Sequence, residues 1–191
     1  MKRTMKKILI FALICTTVSL TGCGKIRNAT SREFTVNGVD FGFTAITNSS
    51  DAVASGTRTA AEMSTFSVTR TVNISEIGDS DIIEYAKKIS KVAVNSSVLS
   101  VTTDPWGDYT VENLTVSVAG VSGSPLVVPS FTLGDTFVPP AGMNSFTSSF
   151  IMKLLRDKSV TVTVSGETDA PEGTEVDIIY ENDLVFTAKL L

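Results

Sequence analysis

The chain has 191 residues, 42% of them hydrophobic, with a formal net charge of −4 and no histidine. Without imidazole there is no Ser-His-Asp or Cys-His catalytic arrangement, no His-dependent zinc site and no proton relay tuned to neutral pH. The length and apolar content suit a single domain with its own core.

In chain order, Lys2, Arg3, Lys6 and Lys7 form a basic leader, and residues 8–20 are uncharged and mostly apolar. A bilayer core takes about 20 helical residues to cross, so this run is too short for a permanent span and has the layout of a removable secretory signal. It ends in Leu20-Thr21-Gly22-Cys23, which resembles the lipobox of bacterial lipoprotein signal peptides. The resemblance implies that Leu20, Thr21 and Gly22 are read by the signal peptidase and that residues 1–22 are removed. It implies equally that Cys23 is lipidated on sulfur and acylated on the new amino group. An anchor of several acyl chains passes the threshold for stable membrane attachment. The same resemblance places the protein in the bacterial envelope. Gly24 stands where an inner-membrane retention Asp would, which points to the outer membrane, facing the periplasm.

Removal of residues 1–22 takes four basic and no acidic residues and leaves a net charge of −8. Such a surface repels phosphate backbones and anionic lipid heads, which makes nucleic acid a poor partner. Cys15 leaves with the signal, so the mature chain has no intrachain disulfide and depends on its core.

Residues 23–31 read as the acylated Cys and a flexible tether, and residues 32–191 as one sandwich domain. Phe34, Val36, Val39, Phe41 and Phe43 flank Asn37-Gly38, the strongest short signal for a two-residue hairpin turn. Residues 47–65, rich in Ser, Thr, Ala and Gly, read as a long connection or a functional loop. Phe66, Val68, Val72 and Ile74 alternate with polar residues as a half-wet strand, with Arg70 breaking the apolar row. Asp81 and Glu84 have capping-box spacing, and residues 81–89 read as a short helix lidding a sheet edge. Strands are expected at 91–94, 98–102, 113–119, 126–133, 159–165, 175–181 and 184–190, with Asn182-Asp183 as a tight reversal between the last two. Phe146, Phe150, Ile151, Leu154 and Leu155 fit a second short helix, with a strand as the alternative.

Many short alternating runs with at most two helices predict an all-β fold, an antiparallel immunoglobulin-like sandwich. The order of the helix near residue 80, then Lys91-Val92-Ala93-Val94-Asn95-Ser96, then a strand-rich tail, resembles small Bacteroidota-type envelope lipoproteins of unknown role. That resemblance lends no functional residues.

Catalytic chemistry is sparse. Gly120-Val121-Ser122-Gly123-Ser124 departs from a nucleophile elbow in its last residue and reads as a turn. No Ser lies three residues before a Lys, and no glycine-rich phosphate loop occurs. The expectation is therefore a non-enzymatic interaction or structural module that needs no cofactor, its partner an envelope protein or a glycan.

Two clusters are candidate sites. In Asp104-Pro105-Trp106-Gly107-Asp108-Tyr109, Trp106 and Tyr109 would stack on sugar rings while Asp104 and Asp108 accept hydroxyl hydrogen bonds; the plainer reading has Trp106 anchoring the loop on the core. Glu167, Asp169, Glu172 and Glu175 offer oxygen ligands of the kind calcium uses, in a spacing that fits no EF-hand, against the plainer reading of an acidic turn. Carbohydrate binding, or glycan processing by two convergent carboxylates, is the rival function.

Overall fold

The computed structural model describes residues 31–49, 63–134 and 139–189. The strands are β1 (Ser31–Ile46), β2 (Asn48–Ser49), β3 (Ser64–Asn73), β4 (Ile89–Asp104), β5 (Thr110–Val118), β6 (Leu126–Val127), β7 (Phe131–Thr132), β8 (Ser159–Thr168) and β9 (Glu175–Lys189). Two helices, α1 (Ser80–Tyr85) and α2 (Met143–Asp157), and a 3-10 turn at Ile74–Ile77 complete the elements. One sheet has the order β1-β9-β4 and the other β2-β3-β8-β5-β6, with β7 also on β5. All pairings are antiparallel, and the layering is that of the expected all-β sandwich.

The first sheet departs from the expected hairpins. Asn37-Gly38 is no turn, because β1 runs through it as one strand, and β4 likewise joins the two strands expected at 91–94 and 98–102. Asn182-Asp183 is no reversal either; it lies inside the unbroken β9. The register gives the reason. β1 advances from Val36 to Val39 while β9 retreats from Leu184 to Asn182, so β1 carries one extra residue, a β-bulge. An extra residue moves the inward set from Phe34 and Val36 to Val39, Phe41 and Phe43, the same switch from even to odd positions that a two-residue hairpin produces. Gly38 takes the positive φ of 67° that the bulge needs. β4 bulges at the same level, between Val94 and Ser96.

Asp183 clasps both bulges. Its Oδ1 accepts the Gly38 N–H at 3.0 Å and its Oδ2 the Ser96 hydroxyl at 2.7 Å. The Ser96 hydroxyl first and the Gly38 amide second hold this carboxyl below its ordinary range. A group with a lowered folded pKa contributes stability above its unfolded value of about 3.9 and loses that contribution as pH falls through the folded value. Asp183→Ala is therefore expected to lower the urea midpoint at pH 7, with a smaller gap to wild type at an acidic pH below the ordinary carboxylate range. Urea titrations of both chains at the two pH values check this.

The flanks of the sandwich differ. On one side β1 packs against β3, and the chain crosses between sheets at Thr47. Arg70, on the inward row of β3, fits there because its guanidinium reaches Glu76 at 2.7 Å and lies 5.0 Å over the Phe43 ring. On the other side α2 fills the gap between β4 and β8. Met143, Phe146, Thr147, Phe150, Ile151, Leu154 and Leu155 are its buried face, a helical spacing that resolves the helix-or-strand alternative. Phe150 meets Phe41 of β1 edge-on at 5.2 Å. The buried Thr147 hydroxyl donates to the Met143 carbonyl and accepts from Tyr180 Oη, and burial pushes the Tyr180 phenol upward.

α1 is shorter than expected and starts earlier. Its cap is Asp79, whose Oδ1 accepts from the amides of Asp81 and Ile82, so Asp81 falls inside the first turn and Ile89 begins β4. Ile82 is fully buried beneath it. The run 126–133 forms two short strands instead of one, since Pro129 has no N–H to offer a ladder. The long connection expected at 47–65 lies outside the described residues over 50–62.

Candidate functional site

β1, β4 and β9 all have one end at the same pole of the sandwich, where Ile46 and Asp104 both pair with Glu175. The loop after β4 holds Trp106, and the loop between β8 and β9 holds Asp169 and Glu172, so the fold brings the two sequence clusters to one surface. Asp169 joins them: its Oδ1 accepts the Thr110 N–H at 2.7 Å, and its own N–H meets the Thr110 carbonyl at 3.4 Å. Thr47 clamps the same loop, its hydroxyl donating to the Pro171 carbonyl at 2.6 Å and accepting the Thr174 N–H at 2.9 Å. The buried Ser64 hydroxyl adds a bond to the Ala170 carbonyl at 2.8 Å. The loop therefore stands on a network of satisfied hydrogen bonds that fixes its shape.

Trp106 is 59% exposed. This reverses the reading that it anchors its loop, and the reason is Tyr109. Half-buried against the core, Tyr109 lays its ring so close over Gly107 that a Cβ there would sit 2.6 Å from it. Tyr109 is thus the anchor, and the indole two residues past Asp104 is left in solvent with Asp104 and Asp108 exposed on either side. The sequence alone does not say which of the two aromatic side chains packs on the core and which is left in solvent.

The acidic residues are spread along the pole. Glu167 accepts from the Asn113 amide at 2.9 Å, Asp169 is held by Thr110, and Asp177 accepts the Thr44 hydroxyl at 2.6 Å. Among the described residues no group of three or more potential metal ligands converges. Neither the core void of about 10 Å³ nor a groove of about 600 Å³ near the far end of the sandwich is lined by an acidic residue. Among the described residues the strands and loops that build the pole are acidic, since 33–49, 98–134 and 159–188 contain no Lys or Arg. Gly120–Ser124 forms the turn expected of it, with Ser124 Oγ accepting the Val118 N–H at 2.8 Å.

Leu20, Thr21, Gly22 and Cys23 lie outside the described residues. Among the described residues no helix is long and apolar enough to cross a membrane. No family model matches the chain, and no similar protein is found among curated proteins or solved structures.

Proposed function

We propose that the protein is a lipid-anchored bacterial envelope protein, held at Cys23 in the outer membrane and facing the periplasm, that acts without catalysis as an interaction module. Its contact surface is the pole that carries Trp106. The exposure of that indole, at 59%, supports this reading, because a loop fixed on both sides presents a large apolar face to water with no internal use for it. Ser31 pairs with Lys189 at the start of β1, while Ile46 pairs with Glu175 at its end. At about 3.3 Å per residue the strand separates the tether entry from the Trp106 pole by on the order of 50 Å, so the pole points away from an anchoring bilayer.

A glycan is the second reading. An indole face flanked by Asp104 and Asp108 suits a sugar, whose ring stacks while its hydroxyls donate to carboxylates. Trp106 is the sole tryptophan, so its emission reports this surface directly. Hits from a glycan array should shift this emission in the wild type, and in calorimetric titrations against the same glycans Trp106→Phe should keep part of the affinity and Trp106→Ala should lose at least about tenfold. Equal binding by the Ala variant moves the contact elsewhere. The anchor is tested separately: wild-type protein should incorporate labelled palmitate and fractionate with membranes, and Cys23→Ser should do neither.

A further inference from the structure

The cations of the sandwich gather at the end opposite Trp106. The groove of about 600 Å³ runs between the C-terminal half of α2, the start of β4 and the turn after β5. Lys87, Lys153, Arg156 and Lys158 line it above the buried Ile89 and Leu155. Asp157 partly offsets them, meeting Lys153 at 2.8 Å and Arg156 at 2.7 Å, which leaves an excess of positive charge in a chain that is acidic overall.

The groove is also where the tether arrives. Ser31 is the partner of Lys189, and the Lys189 N–H donates to the Lys88 carbonyl at 2.9 Å. Two strand spacings of about 4.8 Å therefore place the entry point on the order of 10 Å from Lys88. The stretch from Cys23 to residue 30 reaches at most about 30 Å whatever its path. A lipid on Cys23 thus keeps this end of the body near the headgroups.

We propose that this basic groove docks the anionic phospholipid headgroups of the membrane that holds the Cys23 anchor, seating the sandwich with its Trp106 pole outward. The proposal rests on the lipid-anchor reading above. Net negative charge does not oppose it, because charges are screened over a Debye length of about 8–10 Å. A bilayer therefore feels the charges at its own end, where the Lys and Arg residues of the groove, β1, β4 and β9 outnumber Glu33, Asp79, Asp81, Glu84 and Asp157, and not the carboxylates of the Trp106 pole on the order of 50 Å away. Each Lys or Arg near an anionic surface adds to binding, and several acting together add up.

The test uses the chain from residue 23 with Cys23→Ser, whose buried core from Val39 to Ala188 is complete without the lipid. Co-sedimentation with vesicles of phosphatidylcholine containing about one-third phosphatidylglycerol should exceed that with phosphatidylcholine alone and fall steeply between about 0.05 and 0.5 M NaCl. K87Q/R156Q/K158Q should bind at least about tenfold more weakly, while the charge-keeping K87R/R156K/K158R should bind as the parent does. Thermal unfolding by circular dichroism verifies that each variant is folded. Equal binding to both vesicle types, or a neutralised variant that binds undiminished, overturns the proposal. So does K25Q/R27Q abolishing binding that the groove variant leaves intact, since the tether would then carry it. Failure of the anchor itself is read independently, as absence of palmitate from the wild-type protein in cells.

Discussion

Phe41→Ala is expected to lower the unfolding free energy by about 3–5 kcal/mol. Phe41 is 1% exposed, faces Tyr180 across the β1–β9 ladder and receives the edge of Phe150 from α2. It is the point at which the first sheet and the helix meet. The adjoining void, bordered by Phe43, Leu99 and Phe146 among others, holds only about 10 Å³ and is too small and too apolar for a stable water. Removing the ring therefore enlarges an empty space on a site whose walls belong to six elements and cannot collapse together. Against a typical domain stability of about 5–15 kcal/mol, a loss of this size brings unfolding into reach of mild heating. Urea unfolding of the variant should give a midpoint far below wild type with the same slope; a midpoint shift of a few tenths of a molar would contradict it.

Gly166→Ala is expected to cost about 1–3 kcal/mol, through crowding instead of a cavity. Gly166 lies inside β8 opposite Phe66 of β3. A Cβ at this position would sit 2.6 Å from Phe66 Cζ and 3.3 Å from the Leu114 Cα on the other neighbouring strand. Phe66 is 2% exposed and has nowhere to swing, and the Leu114 backbone, in the β5 bulge, is held by the Val128 N–H on its carbonyl at 2.8 Å. Gly42→Ala on the exposed face of β1, where nothing lies within 4 Å, is the matched control and should change stability little. Combining Gly166→Ala with Phe66→Leu should recover part of the loss, a coupling that a double-mutant cycle measures.

The period-2 rows of β3, β5 and β8 and the helical spacing of α2 were legible in the sequence because each element buries one face and wets the other. The first sheet was not. Asn37-Gly38 and Asn182-Asp183 carry the residues that turns favour, yet a bulge also selects a glycine at positive φ, and an Asp beside it can bond free amides in either setting. Local chemistry is the same; only the pairing partner, far away in sequence, tells the two apart. Strands of 15 and 16 residues are also well beyond the usual five or six, so interrupting them was the more economical reading. For the candidate site, the residues of both clusters were visible, and their meeting was not. Nothing local links Trp106 to the loop near residue 170; the Thr110 to Asp169 hydrogen bond spans 59 positions. Lys87 and Lys158 likewise reach one groove only through the path of α2 back to the start of β8.

The placement of β9 between β1 and β4 has a consequence for how the molecule comes into being. Those two edge strands do not pair with each other, and the Asp183 bonds that pin their registers close loops of 145 and 87 positions. Until residues 175–189 have emerged, half of the architecture lacks a template, and no partial product can nucleate it. Loop-closure entropy of this kind predicts slow, all-or-none acquisition of structure late in synthesis. A polypeptide interrupted upstream of β9 should remain a protease-sensitive thread.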